Sequence, residues 1–230
     1  MHVTLTNLLN EMINQGASDL HLSADMGPRM RIEGTLYEID AAPLDRPTLW
    51  TWLEAELTEG QIETYERSGD IDFGMQAPSG DRFRVSLFRE RGLDTLAVRR
   101  LSSEIPTMQE LALPTSTQQW TDLEQGLILV AGPTGSGKST TIAAMVNRIN
   151  ESRPVHIVTI EDPIEYQFPS AESLVRQREI GPDSDSFARA VRAALREDVD
   201  VLMVGELRDP ETMAAALSVA ETGHLVFATI

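Results

Sequence analysis

The nine residues GPTGSGKST, 132–140, constrain the fold more than any other part of the chain. They follow an apolar, strand-like run, LILVA (127–131), and lead into TIAAMVNRIN (141–150), whose apolar residues recur at helical spacing. Gly132, Gly137, Lys138 and Ser139 satisfy the pattern G-x-x-x-x-G-K-[ST], in the strand–turn–helix setting that the pattern requires. Glycines let the backbone curl so that successive N–H groups point inward at an anion, and the start of the following helix adds its positive end. The bland alternative is a glycine-rich turn that precedes a lysine by accident, and the flanking strand and helix count against it. The stretch is therefore read as a nucleotide-phosphate cradle built from Gly132, Pro133, Thr134, Gly135, Ser136, Gly137, Lys138, Ser139 and Thr140. In such a cradle Lys138 reaches the β- and γ-phosphates and the Ser139 hydroxyl ligates Mg2+.

A phosphate loop needs a parallel sheet behind it, and the surrounding text supplies one. From residue 120 onward, apolar strands (LILVA, HIVTI, VDVLMV, HLVFATI) alternate with helices (from Lys138, SFARAVRAALRED, ETMAAALSVAET), with a short piece SLVRQREI between. Strands separated by helices imply crossovers and a mostly parallel sheet. Before residue 101 the pattern differs: short strands (ASDLHLS, RMRIEG, GDIDFGM, DRFRVSLF, TLAVRRL) mix with helical text such as PTLWTWLEAELTEGQIETYER, as in a small α+β domain. Residues 102–119, SSEIPTMQELALPTSTQQ, carry Pro106, Pro114 and clustered Ser and Thr, and read as a linker with one short helix. The expected organisation is a first domain over 1–101, a linker over 102–119 and a P-loop domain over 120–230. The text stops at Ile230 within an apolar strand, so the last domain is expected to be incomplete. No repeat or low-complexity tract interrupts this order.

Composition narrows the partners. With 230 residues, 41% of them hydrophobic, the chain can bury two cores. A formal net charge of -17 argues against an electrostatic grip on nucleic acid or on an anionic membrane. The absence of cysteine rules out disulfides and thiolate metal sites within these residues. No apolar run approaches the roughly 20 residues of a membrane span, and MHVTLTNLLNEMINQG lacks the basic start and apolar centre of a signal peptide. A soluble cytoplasmic protein with no direct membrane insertion is expected.

Binding a nucleotide is not yet chemistry. In an open parallel sheet, ligands collect beyond the carboxyl ends of the strands. Two acidic groups fall there: Glu161, Asp162 and Glu165 in TIEDPIEY, and Glu206 and Asp209 in MVGELRD. Gly205 stands where P-loop proteins commonly place an aspartate, so Glu206 is expected to serve the metal by a longer reach or through a water. Glu165 reads either as a general base for the attacking water or as a solvated loop charge. The first domain concentrates Arg82, Arg84, Arg89, Arg91, Arg99 and Arg100, an exception in so acidic a chain. Alternate arginines such as Arg82 and Arg84 share a face if they lie on a strand. As a set they suggest a clamp acting in trans on a neighbouring subunit's nucleotide; singly, each reads equally well as a charged edge.

The blocks ASDLHLS, GPTGSGKSTT, TIEDPIEY, ALREDVDVLMVGELRDPET and AETGHLVFATI together resemble the secretion ATPase superfamily, and most of all its PilT-type branch, the retraction ATPases of type IV pili. The resemblance spans nearly the whole chain, in order. It implies a hexameric ring motor with a PAS-like amino-terminal domain and a RecA-like ATPase domain, working on an inner-membrane pilus platform protein and so peripheral to that membrane. By motif, 132–140 is the Walker A loop, Glu161, Asp162 and Glu165 form the Asp box with Glu165 as base, and Glu206 is the Walker B glutamate. His224 belongs to the His box as a sensor of nucleotide state, and Arg84 and Arg99 match arginines that approach the γ-phosphate, the other four being surface charges. Without the resemblance, His224 reads as an ordinary strand-start histidine. A PilU-type accessory ATPase, itself a possible partner, or another type II or type IV secretion ATPase fits many of the same blocks. A module that senses nucleotide without turnover is the alternative of a different class.

Overall fold

The computed structural model describes residues 4–24, 26–101 and 104–230. The chain divides into two compact units, Met1–Ser102 and Ser103–Ile230. Ser102 and Ser103, at the start of the expected linker, lie outside the described residues.

The first unit runs α1 (Leu5–Asn14), β1 (Asp19–Ser23), β2 (Met26–Ile32), β3 (Thr35–Glu38), α2 (Arg46–Glu56), α3 (Glu59–Ser68), β4 (Asp70–Gln76), β5 (Arg82–Glu90) and β6 (Leu93–Arg100). Its six strands form one antiparallel sheet in the order β3-β2-β1-β6-β5-β4. Alternation decides which face is core. Phe83, Val85 and Leu87 of β5 and Leu96 and Val98 of β6 are buried in one cluster with Leu8, Leu9 and Met12 of α1, Leu49 and Leu53 of α2 and Tyr65 of α3. The intervening residues make a polar face. Arg82 and Arg84 share it, and Arg84 stands directly opposite Arg99, which in turn stands opposite Asp19. The helical text of 47–67 forms two helices, not one, because Leu57 is extended and Thr58 starts α3 with a capping box to Gln61. TLYE, unassigned by its sequence pattern, is the exposed edge strand β3.

Among the described residues of this unit Asp94 is the one buried charged side chain, and it is fully buried. It accepts hydrogen bonds from Arg46 Nε (2.8 Å), Trp50 Nε1 (2.7 Å) and Tyr65 Oη (2.5 Å). Burial alone would raise its pKa; the bonds from Tyr65, Arg46 and Trp50 outweigh it and hold the carboxyl below its ordinary value. The same burial, with Asp94 as partner, pushes the Tyr65 phenol up.

The second unit begins with a single 3-10 turn, Thr115–Thr117, and the short α4 (Gln118–Thr121). It continues as β7 (Gly126–Val130), α5 (Lys138–Ser152), β8 (His156–Glu161), β9 (Leu174–Glu179), α6 (Phe187–Ala194), β10 (Val201–Val204), α7 (Pro210–Glu221) and β11 (Leu225–Thr229). The five strands are all parallel, in the order β7-β11-β10-β8-β9. Central strands β10 and β11 are buried at every residue, as a sheet covered on both faces requires. Ile142, Met145, Val146 and Ile149 of α5 pack in one cluster with Ile157, Met203 and Phe227. Ala190, Val191 and Ala194 of α6 and Ala216 and Val219 of α7 pack in another with Val158, Leu202 and Val226. The piece SLVRQREI is an edge strand, β9. The expected order, a small α+β unit followed by a parallel-sheet P-loop unit, is the one observed. No helix among the described residues is long and apolar enough to cross a membrane.

Candidate active site

The phosphate loop leaves the carboxyl end of β7 and enters α5. Two of its glycines are held at positive φ, Gly135 at 79° and Gly137 at 89°, where a side chain is strained. At Gly132 the constraint is space: a Cβ would lie 2.7 Å from Ser136 Oγ. Gly137 caps α5 without a side chain, so the first N–H groups of the helix keep their free valences toward the loop. Lys138, the only lysine of the chain, lies across this loop, its Nζ donating to Gly132 O (2.7 Å) and Pro133 O (3.4 Å). An ammonium parked on loop carbonyls beside open helix-start amides fits an anionic ligand. The donor set offered to a metal, the Ser139 hydroxyl and the Glu206 carboxylate, is all oxygen, as Mg2+ requires; that ion takes few protein ligands and keeps waters and phosphate oxygens. Among the described residues no three His, Cys, Asp or Glu side chains stand together as a metal-binding group.

Further along the carboxyl edge of the sheet, beyond β11 and β10, comes the end of β8. Glu161 is buried, at 4% exposure, and its hydrogen-bond partners are neutral: Thr159 Oγ1 (2.7 Å) and Gln177 Nε2 (3.2 Å) on Oε1, and the Glu165 N–H (3.3 Å) on Oε2. Burial dominates and pushes its pKa up, the nearby Glu165 charge adds to the rise, and the three donors hold it back. The loop that follows, 162–168, carries the half-buried Glu165 and the exposed Asp162. Tyr166 in this loop brings its hydroxyl within 3.1 Å of Thr140 Oγ1 in the first turn of α5, which ties the acidic loop to the phosphate loop.

Gly205, the departure noted in the sequence, has a steric cause. It pairs with the end of β8 through its N–H to Ile160 O (2.8 Å), and a Cβ there would meet Ile160 O at 3.2 Å and Glu161 Cα at 3.4 Å. An aspartate at 205 would press against Glu161. Glu206 beyond it is half-buried and paired with Arg208 (2.7 Å), whose guanidinium is raised above its ordinary pKa chiefly by that bond. Asp209 is committed elsewhere: it caps α7, accepting from Thr212 N (2.8 Å) and Thr212 Oγ1 (2.6 Å). Thr229, at the end of β11, donates to Gly205 O (2.6 Å) and fixes that turn.

The expected residues are thus partly assembled. Lys138, Ser139, Thr140, Glu161, Glu165 and Glu206 all lie at the carboxyl edge of one sheet. His224 does not join them. It precedes β11 at the amino edge, where its carbonyl accepts from Gly126 N–H (3.0 Å) and its Nδ1 lies 2.9 Å from Val219 O. The length of β11 separates it from the phosphate loop, so a sensor role would act through β11 and not by direct contact. Arg84 and Arg99 belong to the other unit and are paired there, Arg84 with Asp72 (2.8 Å) and Arg99 with Asp19 (2.9 Å). Arg100 bonds Asp81 (2.8 Å), and the Arg89 guanidinium lies 4.9 Å over the Tyr65 ring, so both serve local structure. Sequence reasoning missed Thr159, Tyr166, Gln177 and Arg208. Arg208 was legible from its place two residues after Glu206; the others are fixed by strand pairing that no local pattern reveals.

A glycine-cradled loop at a parallel strand end, with carboxylates at the same edge after two other strands of the sheet, defines a P-loop nucleotide-binding unit. More narrowly, the chain belongs to the type II/IV secretion system protein family, whose model matches residues 1–230. It is 43% identical over 226 residues to the type IV pilus retraction ATPase PilT of Pseudomonas aeruginosa, covering 98% of this chain and 66% of that protein. It is 45% identical over 218 residues to YggR of Escherichia coli, an uncharacterized protein, covering 95% of this chain and 66% of that one. A crystal structure of the pilus retraction motor PilT with bound ADP superposes with a TM-score of 0.93 at 45% identity, covering all of this chain (100%) and 67% of that one. The chain therefore spans 66% of the length of both curated relatives.

Proposed function

We propose that this chain is the nucleotide-handling part of an ATP-driven motor that retracts type IV pili. It acts as a homohexameric ring at the cytoplasmic side of the inner membrane, where it meets a pilus platform protein. The observation that carries the reading is the meeting of the Lys138 loop with the Glu161–Glu165 segment through Thr140 and Tyr166. The likeness to an ADP-bound retraction motor supports the same ligand.

In this reading the loop amides and Lys138 bind the phosphates of ATP. Glu165 accepts a proton from water as the water oxygen attacks the γ-phosphorus; the bond to the β–γ bridging oxygen breaks, and ADP and phosphate leave. Mg2+, held through Ser139 and Glu206, neutralises charge on the phosphate oxygens when bound. Arg84 and Arg99 exchange their aspartate partners for the γ-phosphate of a neighbouring subunit, and so act in trans. His224, at the amino edge, contributes only by relaying the position of β11. Calorimetric titration with ATP tests the assignment: Lys138→Ala abolishes binding and turnover, whereas Glu165→Gln keeps binding and loses turnover. Equal turnover in Glu165→Gln and the parent removes Glu165 as base.

A further inference from the structure

We infer that Gln177 is a positioning residue for this reaction: its side-chain amide holds the loop 162–168 and so sets where Glu165 stands. The inference rests on the hydrolytic reading of Glu165 given above.

Residues 162–168 contain no helix or strand, so no backbone ladder fixes them. Buried backbone groups in such a segment must find side-chain partners. Three side chains on adjacent strands provide them. Glu161 of β8 takes the Glu165 N–H (3.3 Å), Glu179 of β9 takes the Ile164 N–H (3.1 Å), and Gln177 of β9 holds the far end. Gln177 Nε2 donates to Tyr166 O (2.7 Å) and to Glu161 Oε1 (3.2 Å), while its Oε1 accepts from the Phe168 N–H (3.0 Å). An edge strand gives a polar side chain free access to water; here the amide is half-buried and spends its bonds inward instead. Only an amide offers a donor and an acceptor at this place, because a carboxylate can accept from Phe168 but cannot donate to Tyr166. The hold extends further. Gln177 fixes the Tyr166 backbone, and the Tyr166 hydroxyl meets Thr140 at the start of α5, so one amide sets the distance between the acidic loop and the phosphate loop. A misplacement of about 1 Å in such a group lowers turnover about 100-fold.

Two variants test this, Gln177→Leu and Gln177→Glu, each measured for hydrogen exchange, nucleotide affinity and turnover. In Gln177→Leu, peptides covering 162–168 exchange faster while those of α5 and β10 are unchanged. Nucleotide affinity stays within about twofold, and turnover falls about 10- to 100-fold. Added to Glu165→Gln, the same substitution lowers turnover no further. Gln177→Glu introduces a carboxyl facing Glu161 and Thr159 of β8, Glu179 of β9 and Glu165 and Tyr166 of the loop, with Thr140 of α5 behind. Three of these groups are acidic and raise the pKa of the new carboxyl, so its turnover recovers as the pH falls toward about 6, where the protonated form regains a donor. A parent without turnover overturns the hydrolytic reading, and exchange at 162–168 then decides alone whether Gln177 holds the loop. Unchanged exchange there in Gln177→Leu, full turnover with a loosened loop, or faster exchange across the whole unit overturns the inference.

Discussion

Among the carboxylates buried in the described residues, Asp94 of the first unit and Glu161 of the second are kept in opposite ways. Asp94 is fully buried and Glu161 is 4% exposed. Asp94 has a guanidinium at 2.8 Å with a phenol and an indole N–H completing its shell, and it is held below its ordinary pKa. Glu161 has only a hydroxyl, an amide and a backbone N–H, with a second carboxylate nearby, and it is pushed up. A cation turns a buried acid into a structural joint whose charge is settled. Neutral donors alone leave the proton exchangeable, the condition in which buried acids are found at reaction centres. The contrast separates a joint that holds shape from the edge to which we assign the chemistry.

Asp94→Asn has the largest expected effect on stability. The new NH2 opposes one of the donors that Asp94 now satisfies, Tyr65, Trp50 or Arg46, and lowers the free energy of unfolding by about 1–3 kcal/mol, read by urea denaturation, with nucleotide affinity unchanged. Glu161→Gln makes the same chemical change with the other outcome: stability stays within about 1 kcal/mol of the parent, since a costly buried charge is lost along with a hydrogen bond. Its turnover falls at least about tenfold, because the new NH2 opposes the Glu165 N–H. Equal destabilisation by the two variants breaks the comparison.

The pH dependence sharpens it. Between the depressed pKa of folded Asp94 and its ordinary value of 3.8, the unfolded chain holds the proton and the folded one does not. The Asp94 contribution is therefore complete above that window and lost as the pH falls through it. For Glu161 the folded chain keeps the proton from the ordinary value of 4.5 up to the raised one, so stability falls as the pH rises through that window. Denaturation from about pH 3 to 7 should show the Asp94→Asn deficit shrinking toward acid and Glu161→Gln gaining on the parent toward neutrality. The smallest effects on stability belong to Arg84→Ala and Arg99→Ala, each under about 1 kcal/mol because their ion pairs are exposed. Each loses turnover alone and regains it when mixed with Lys138→Ala subunits; failure of mixing returns both arginines to the role of surface charges.

Much of the second unit was legible because its signals are local. A glycine-rich turn between an apolar strand and a helix carries its own context, whereas the absence of aspartate at Gly205 was legible but its cause, the crowding against Ile160 and Glu161, was not. Signals that depend on pairing were not legible. Gln177 lies in a stretch whose pattern does not distinguish an edge strand from a loop, and its three partners come from positions 9 to 16 residues earlier. Thr58 shows the intermediate case: the T-x-x-Q capping box that splits 47–67 into two helices was present in the text but hidden within a continuous helical composition. His224 stands at a strand start, as its text reads, but a motif gives residue order and not how such a residue relates to the phosphate loop.

The most direct test is Mg2+-dependent phosphate release by the parent and by Glu165→Gln, at matched ATP occupancy and over a range of protein concentrations. The account predicts release by the parent alone, with a rate per protomer that climbs steeply as subunits meet. Equal release by both proteins, or a parent that binds ATP tightly and releases nothing at any concentration, would contradict it.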